Sequence, residues 1–165
     1  VMDDRRDRLR RKYLSLGAGE LVAAALFAGG AAWAVAPRLG IDGTTALWCA
    51  LVPLLVVLVQ AGAYWLLART WVGRRPMPAR LARLYRGFRV IDPLILAAGL
   101  VGILVRLPDR ADVTVLVLAV WAFGVVEYLN YFVVRLSYPA SEWFRLVGER
   151  RTPRLVQDVD TAGST

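Results

Sequence analysis

An all-α membrane fold is predicted for this chain. It has four transmembrane helices, both termini on the cytoplasmic side, and short interfacial amphipathic helices. Three observations predict it. Hydrophobic residues make up 58% of the 165 residues, and the mean hydropathy is +0.49; a soluble domain carries about 45–50% apolar residues. The surplus is gathered into long segments, the clearest being the uncharged Gly43 to Ala68 run of 26 residues. About 20 such residues span a bilayer core. Basic residues fall between the segments in a one-sided pattern. Residues 1–149 are read as one four-helix membrane domain, and 150–165 as a polar cytoplasmic tail.

The first span is placed at about 13–36. It is uncharged from Leu21 to Pro37 and holds one acid, Glu20. The charged start, Val1-Met2-Asp3-Asp4-Arg5-Arg6, precedes an apolar stretch longer than a signal-peptide core, so this span is expected to remain in the chain. The second span, about 44–68, contains Pro53, where a kink is expected. The third, about 90–106, is short by the same count, and a re-entrant third segment beside three full spans is the alternative. Before it, Leu81, Leu84, Tyr85 and Phe88 share one helical face, and Arg80, Arg83, Arg86 and Arg89 recur every third residue. A basic face opposite an aromatic and leucine face predicts an interfacial helix at about 78–89, its arginines on lipid headgroups. Asp92-Pro93 then reads as a helix restart, with Asp92 as N-cap and Pro93 at the first helical position; a role in a polar site is the alternative for Asp92. The fourth span, about 113–135, carries Glu127 alone among charges up to Val134. In the tail, Ser141 can cap a short helix with Trp143, Phe144 and Val147 apolar; beyond Arg150 the chain is expected to be loose. Gly17, Gly19, Gly29 and Gly30 in span one, and Gly99 and Gly102 in span three, are expected to let helices approach closely.

Orientation follows from the basic residues. Arg5, Arg6, Arg8, Arg10, Arg11 and Lys12 precede span one. Arg69, Arg74, Arg75, Arg80, Arg83, Arg86 and Arg89 separate spans two and three. Arg135, Arg145, Arg150, Arg151 and Arg154 follow span four. These are 18 of 21 basic residues, and the positive-inside rule puts that side in the cytoplasm. The net charge of +8 is thereby read as topology and attraction to anionic lipid rather than nucleic-acid binding. Arginine outnumbers lysine 20 to 1, and alanine, leucine, valine and glycine abound, as in a high-GC bacterium. A bacterial cytoplasmic (inner) membrane is the expected location.

Chemistry is narrowed by what is missing. The chain has no histidine and one cysteine, Cys49. That removes His-based catalysis, disulfide scaffolds and most zinc sites; neither metal nor cofactor is expected. Polar groups inside the spans are then the candidates, because an ionisable side chain in a membrane is costly. Glu20, Gln60 and Glu127 fall about 10–13 Å from the basic ends of their spans, in one layer. Asn130 and Tyr131 join Glu127 on one helical face. Glu20, Gln60, Glu127, Asn130 and Tyr131 are therefore expected to line one cytoplasm-facing pocket. The competing reading is interhelical glue, worth about 0.6–2 kcal/mol per contact.

Glu127-Tyr128-Leu129-Asn130-Tyr131-Phe132, continuing to Arg135-Leu136-Ser137-Tyr138, resembles a pattern in small uncharacterised four-span bacterial membrane proteins. The resemblance implies importance for Glu127, Asn130 and Tyr131 and no activity. Small multidrug exporters share the four spans and an acid in the first, here Glu20, but the long basic middle loop departs from them.

The leading function is a non-enzymatic small transporter, channel-like subunit or accessory factor, with a homo-oligomer or a membrane-protein partner as its assembly. The Glu20/Glu127 layer would bind a cation, proton or amphiphile. An enzyme acting on a lipid-linked substrate, or a scaffold recruiting a partner, are the alternatives. No Ser or Cys nucleophile has a base nearby, and no paired-Asp metal motif is present.

Overall fold

A computed structural model describes residues 2–134 and 152–162. Every regular element among them is helical. Helix α1 covers Met2–Gly29 and runs on through a π-helical stretch, Gly30–Val35, into a 3-10 turn, Ala36–Arg38. Helix α2 covers Ile41–Trp71, α3 Ala79–Val105, α4 Ala111–Phe132 and α5 Arg154–Thr161. Four segments, Asp4–Arg38, Ile41–Trp71, Ala79–Val105 and Ala111–Phe132, are long and apolar enough to cross a membrane.

The first three depart from their predicted bounds for local reasons. The charged start of α1 is helical because acids lead and bases follow. Asp4 and Asp7 sit near the positive end of the helix dipole, with Arg8 and Arg11 four residues on. Gly73, at φ +70°, turns the chain out of α2, a conformation that suits glycine.

The largest difference lies in α3. The predicted break at Asp92-Pro93 is not observed: one helix runs through it, with Pro93 inside. Asp92 is therefore not an N-cap. Residues 79–89 are the first turns of the same helix, which at 27 residues is about 40 Å long. Proline lacks an N–H, so the carbonyl four residues earlier loses its helical partner. For Pro93 that carbonyl is Arg89 O, and the Tyr128 hydroxyl of α4 donates to it at 2.9 Å. Pro53 likewise frees Cys49 O, and α3 covers it: a Cβ on Gly99 would lie 2.5 Å from that oxygen. Tyr128 thus re-satisfies the carbonyl freed by Pro93, which makes that interior proline tolerable, while the Gly99 backbone packs directly on the one freed by Pro53.

Helix α2 is the hub. Of its apolar window 56% is buried, against 11%, 22% and 17% in the first, third and fourth helices. It packs against α1, α3 and α4, while α3 also meets α4. Backbones approach most closely at Gly17 against Gly62 and at Gly99 and Gly102 against Cys49. Gly19 and Gly30 face no neighbouring atom, and Gly29 meets only Trp33 of its own chain segment, so these three do not serve the expected close approach.

The tail expected to be loose contains α5. Leu155, Val156 and Val159 are buried, and with Ala162 they join a cluster holding Tyr13, Tyr64, Trp71, Met77, Tyr85 and Tyr131. Three apolar side chains on an eight-residue helix leave a short signal among polar neighbours. The capped helix expected around Trp143, Phe144 and Val147 lies outside the described residues, as does Arg135. A second cluster, built from Ala46, Leu47, Ala50, Leu51, Leu54 and their neighbours, fills the opposite half.

Candidate functional site

The predicted polar layer divides into two groups. The first bridges α1 and α4, which are not close-packed and meet through long side chains. Tyr131 Oη donates to Glu20 Oε1 at 2.5 Å, and Trp65 Nε1 of α2 donates to Tyr131 Oη at 3.4 Å. Phe27 and Phe123 touch across the same seam, with ring centroids 5.9 Å apart. Glu127 is near enough to Glu20 to interact with it electrostatically, and Asn130 bonds Glu127 one turn along α4. Glu20, Glu127 and Asn130 are half-buried, and Tyr131 is buried. Helix spacing brings Glu127, Asn130 and Tyr131 to one face.

Trp65 orients this group. Its ring packs on Tyr13 and Tyr64 at centroid distances of 4.9 Å and 5.0 Å. The indole is thus held by two aromatic neighbours while its N–H points to Tyr131. Sequence reasoning passed over Trp65; its place beside Tyr64 in the uncharged Gly43 to Ala68 run was the available signal.

Gln60 is not bonded to this group. Its Nε2 donates to Asp92 Oδ1 at 3.0 Å, joining α2 to α3. The Tyr85 hydroxyl donates to Gln60 O at 2.8 Å. Asp92 is 1% exposed. The cap assignment hid this role, because a capping aspartate would sit at a helix end and bond its own backbone.

A third polar cluster involves α5. Asp158 Oδ2 accepts from Tyr64 Oη at 2.9 Å and from Trp71 Nε1 at 3.4 Å, while Arg154 Nε holds its other oxygen at 3.1 Å. Tyr64 and Trp71 lie seven residues apart on α2, so both donors point from one face toward the same carboxylate.

Arg80, Arg83, Arg86 and Arg89 are all exposed along α3. Of the predicted apolar face beside them, Tyr85 is buried, Leu81 and Phe88 are half-buried, and Leu84 is exposed. At the far end of the bundle a cleft of about 210 Å³ is lined by Arg38, Asp42, Asp109 and Arg110 among others. Two exposed ion pairs stand at that rim, Arg106 with Asp42 at 3.1 Å and Arg110 with Asp112 at 2.6 Å. Asp112 stabilises the charged Arg110 guanidinium, raising its pKa through their hydrogen bond. Among the described residues no group of three or more Asp, Glu, Cys or His side chains is arranged to hold a metal. Comparison with protein families, with curated proteins and with solved structures finds no match for this chain.

Proposed function

We propose that this chain is a non-enzymatic, multi-pass protein of a bacterial cytoplasmic membrane that binds a cation with an apolar body at the α1–α4 seam. It would act as a small transporter or an accessory subunit. One observation carries the reading: Tyr131 ties Glu20 across a seam that is bridged by side chains, with the Glu127 carboxyl beside it. Two acids at one depth favour a positive partner, because two half-buried negative charges near each other repel. The aromatic rings of Trp65, Phe27 and Phe123 offer an apolar and π-rich wall near the same seam.

In this reading both termini and the loop after α2 face the cytoplasm, and Arg80, Arg83, Arg86 and Arg89 contact anionic headgroups. Their exposure and their three-residue period support that role. Leu84 would dip toward the acyl chains.

Binding of tetraphenylphosphonium to the protein in phosphatidylcholine vesicles tests the site. Glu20→Gln and Glu127→Gln are each expected to weaken binding about tenfold or more, equivalent to about 1.4 kcal/mol. Both variants are expected to fold and insert. Unchanged binding in both, with folded protein, refutes the reading. Topology is tested separately in a variant lacking Cys49. A cysteine at position 79 is expected to resist labelling from outside intact cells, and one at position 41 to accept it.

A further inference from the structure

Asp92 lies deep in the bundle and pairs with one side chain. Gln60 Nε2 donates to Asp92 Oδ1 at 3.0 Å. The remaining oxygens of the two groups, Asp92 Oδ2 and Gln60 Oε1, are both buried and have no hydrogen-bond partner. An ionised carboxylate and an amide carbonyl only accept, so these two oxygens cannot satisfy one another in that state. Burying them bare is costly, and burying a carboxylate charge without a cation is more so.

Among the described residues the surroundings supply no cation. Gln60 is the group from α2 that bonds Asp92. From α4 the facing ionisable group is Tyr128, whose hydroxyl donates to Arg89 O. On α3 itself Tyr85 donates to Gln60 O, and Arg89 is exposed. Helix α5 brings Arg154 and Asp158, which pair with each other, and the exposed Asp160. Among the described residues no ion pair involves Asp92.

A single hydrogen resolves both bare oxygens. A carboxylic acid has an O–H donor, and a primary amide offers one donor and one acceptor side by side. The amide N–H already meets one oxygen of the acid. An O–H on the other oxygen, donating to the amide carbonyl, closes a mutual two-bond pair. We propose that Asp92 and Gln60 form a proton-binding site in which Asp92 carries a hydrogen on Oδ2 and donates it to Gln60 Oε1. This site stands apart from the α1–α4 seam and does not rest on the function proposed for it. Its proton fastens α2 to α3 one residue before Pro93. Loss of the proton turns the fastening into a charge facing a carbonyl, and α2 and α3 separate there.

The test uses the full chain in phosphatidylcholine vesicles, with its aspartate carboxyls labelled with carbon-13, read by infrared absorption at neutral pH. A protonated-acid C=O band that shifts with the label is expected. It is lost in Asp92→Asn and retained in Glu127→Gln. No such band in the unsubstituted protein overturns the proposal, and that measurement needs no variant to fold. Asparagine has an N–H where the acid has its O–H, so Asp92→Asn is expected to keep the thermal midpoint at neutral pH. The midpoint of the unsubstituted protein is expected to fall in alkaline buffer, and that of Asp92→Asn to fall less. A midpoint raised by sodium or potassium ions in the unsubstituted protein alone would assign the oxygens to a metal cation and overturn the proton site.

Discussion

The two halves of the bundle are closed by different means. The half near Tyr13, Tyr64, Tyr85 and Tyr131 is aromatic and laced with directed bonds: Tyr64 to Asp158, Tyr85 to Gln60 O, and Tyr131 to Glu20. The opposite half is alanine, leucine and valine, and it closes by shape. Gly99 and Gly102 bring α3 against Cys49, and Trp121 Nε1 donates to Leu96 O at 2.9 Å. Apolar helices gain little by leaving apolar surroundings, so close packing or directed bonds must hold them together. Close packing at one end leaves the chain free to place costly polar groups at the other. The comparison teaches where chemistry can reside: Glu20, Asp92, Glu127 and Asp158 all belong to the bonded half.

The largest expected loss comes from that half. Asp158→Ala strips the acceptor from Tyr64 and Trp71, at about 1–3 kcal/mol for each buried donor left unpaired. The thermal midpoint should drop, and hydrogen exchange over residues 152–162 should rise as α5 releases. Asp158→Asn keeps an acceptor oxygen and should lose less. If both variants match the parent, the directed bonds do not hold that half.

The shape-closed half is challenged by Gly99→Ala. The new Cβ would lie 2.5 Å from Cys49 O and 3.0 Å from Pro53 Cγ, so α2 and α3 must part. Overpacking of this kind costs about 1–3 kcal/mol. Gly19→Ala is the control, since nothing lies within 4 Å of its Cβ; it should be neutral or gain up to about 1 kcal/mol from helix propensity. Thermal unfolding in one detergent compares the two variants directly.

Tyr128→Phe should have a smaller effect, about 0.6–2 kcal/mol, by leaving Arg89 O, the carbonyl freed by Pro93, without its donor. A faster amide exchange around residues 89–93 would locate the loss. Least of all is expected from Arg106→Ala. Its ion pair with Asp42 has both side chains more than half exposed, and such pairs are worth about 0–1 kcal/mol.

The four long helices were legible because charge-free length is a one-dimensional property. Glu20, Glu127, Asn130 and Tyr131 were legible as neighbours because equal depth and helical spacing can both be counted. Gln60 was assigned to them by depth alone; depth does not say which way a side chain faces round the axis, and it turned toward Asp92. Asp-Pro reads as a helix start when the freed carbonyl has no other donor. Here Tyr128, 39 residues away, supplies one. The docking of α5 was illegible for a related reason: three buried apolar residues mean little until Tyr64 and Trp71 are seen to share Asp158.

That last contact sets a schedule for biogenesis. Tyr64 finds its acceptor 94 residues later in the chain. At a synthesis rate of about 5–20 residues per second, the delay is on the order of 5–20 s. During it, the first hairpin is complete while two of its hydrogen-bond donors still lack their final acceptor. Its aromatic end is therefore provisional until α5 arrives, and a chain stalled before residue 154 would present that unfinished end to whatever chaperone or protease is at hand.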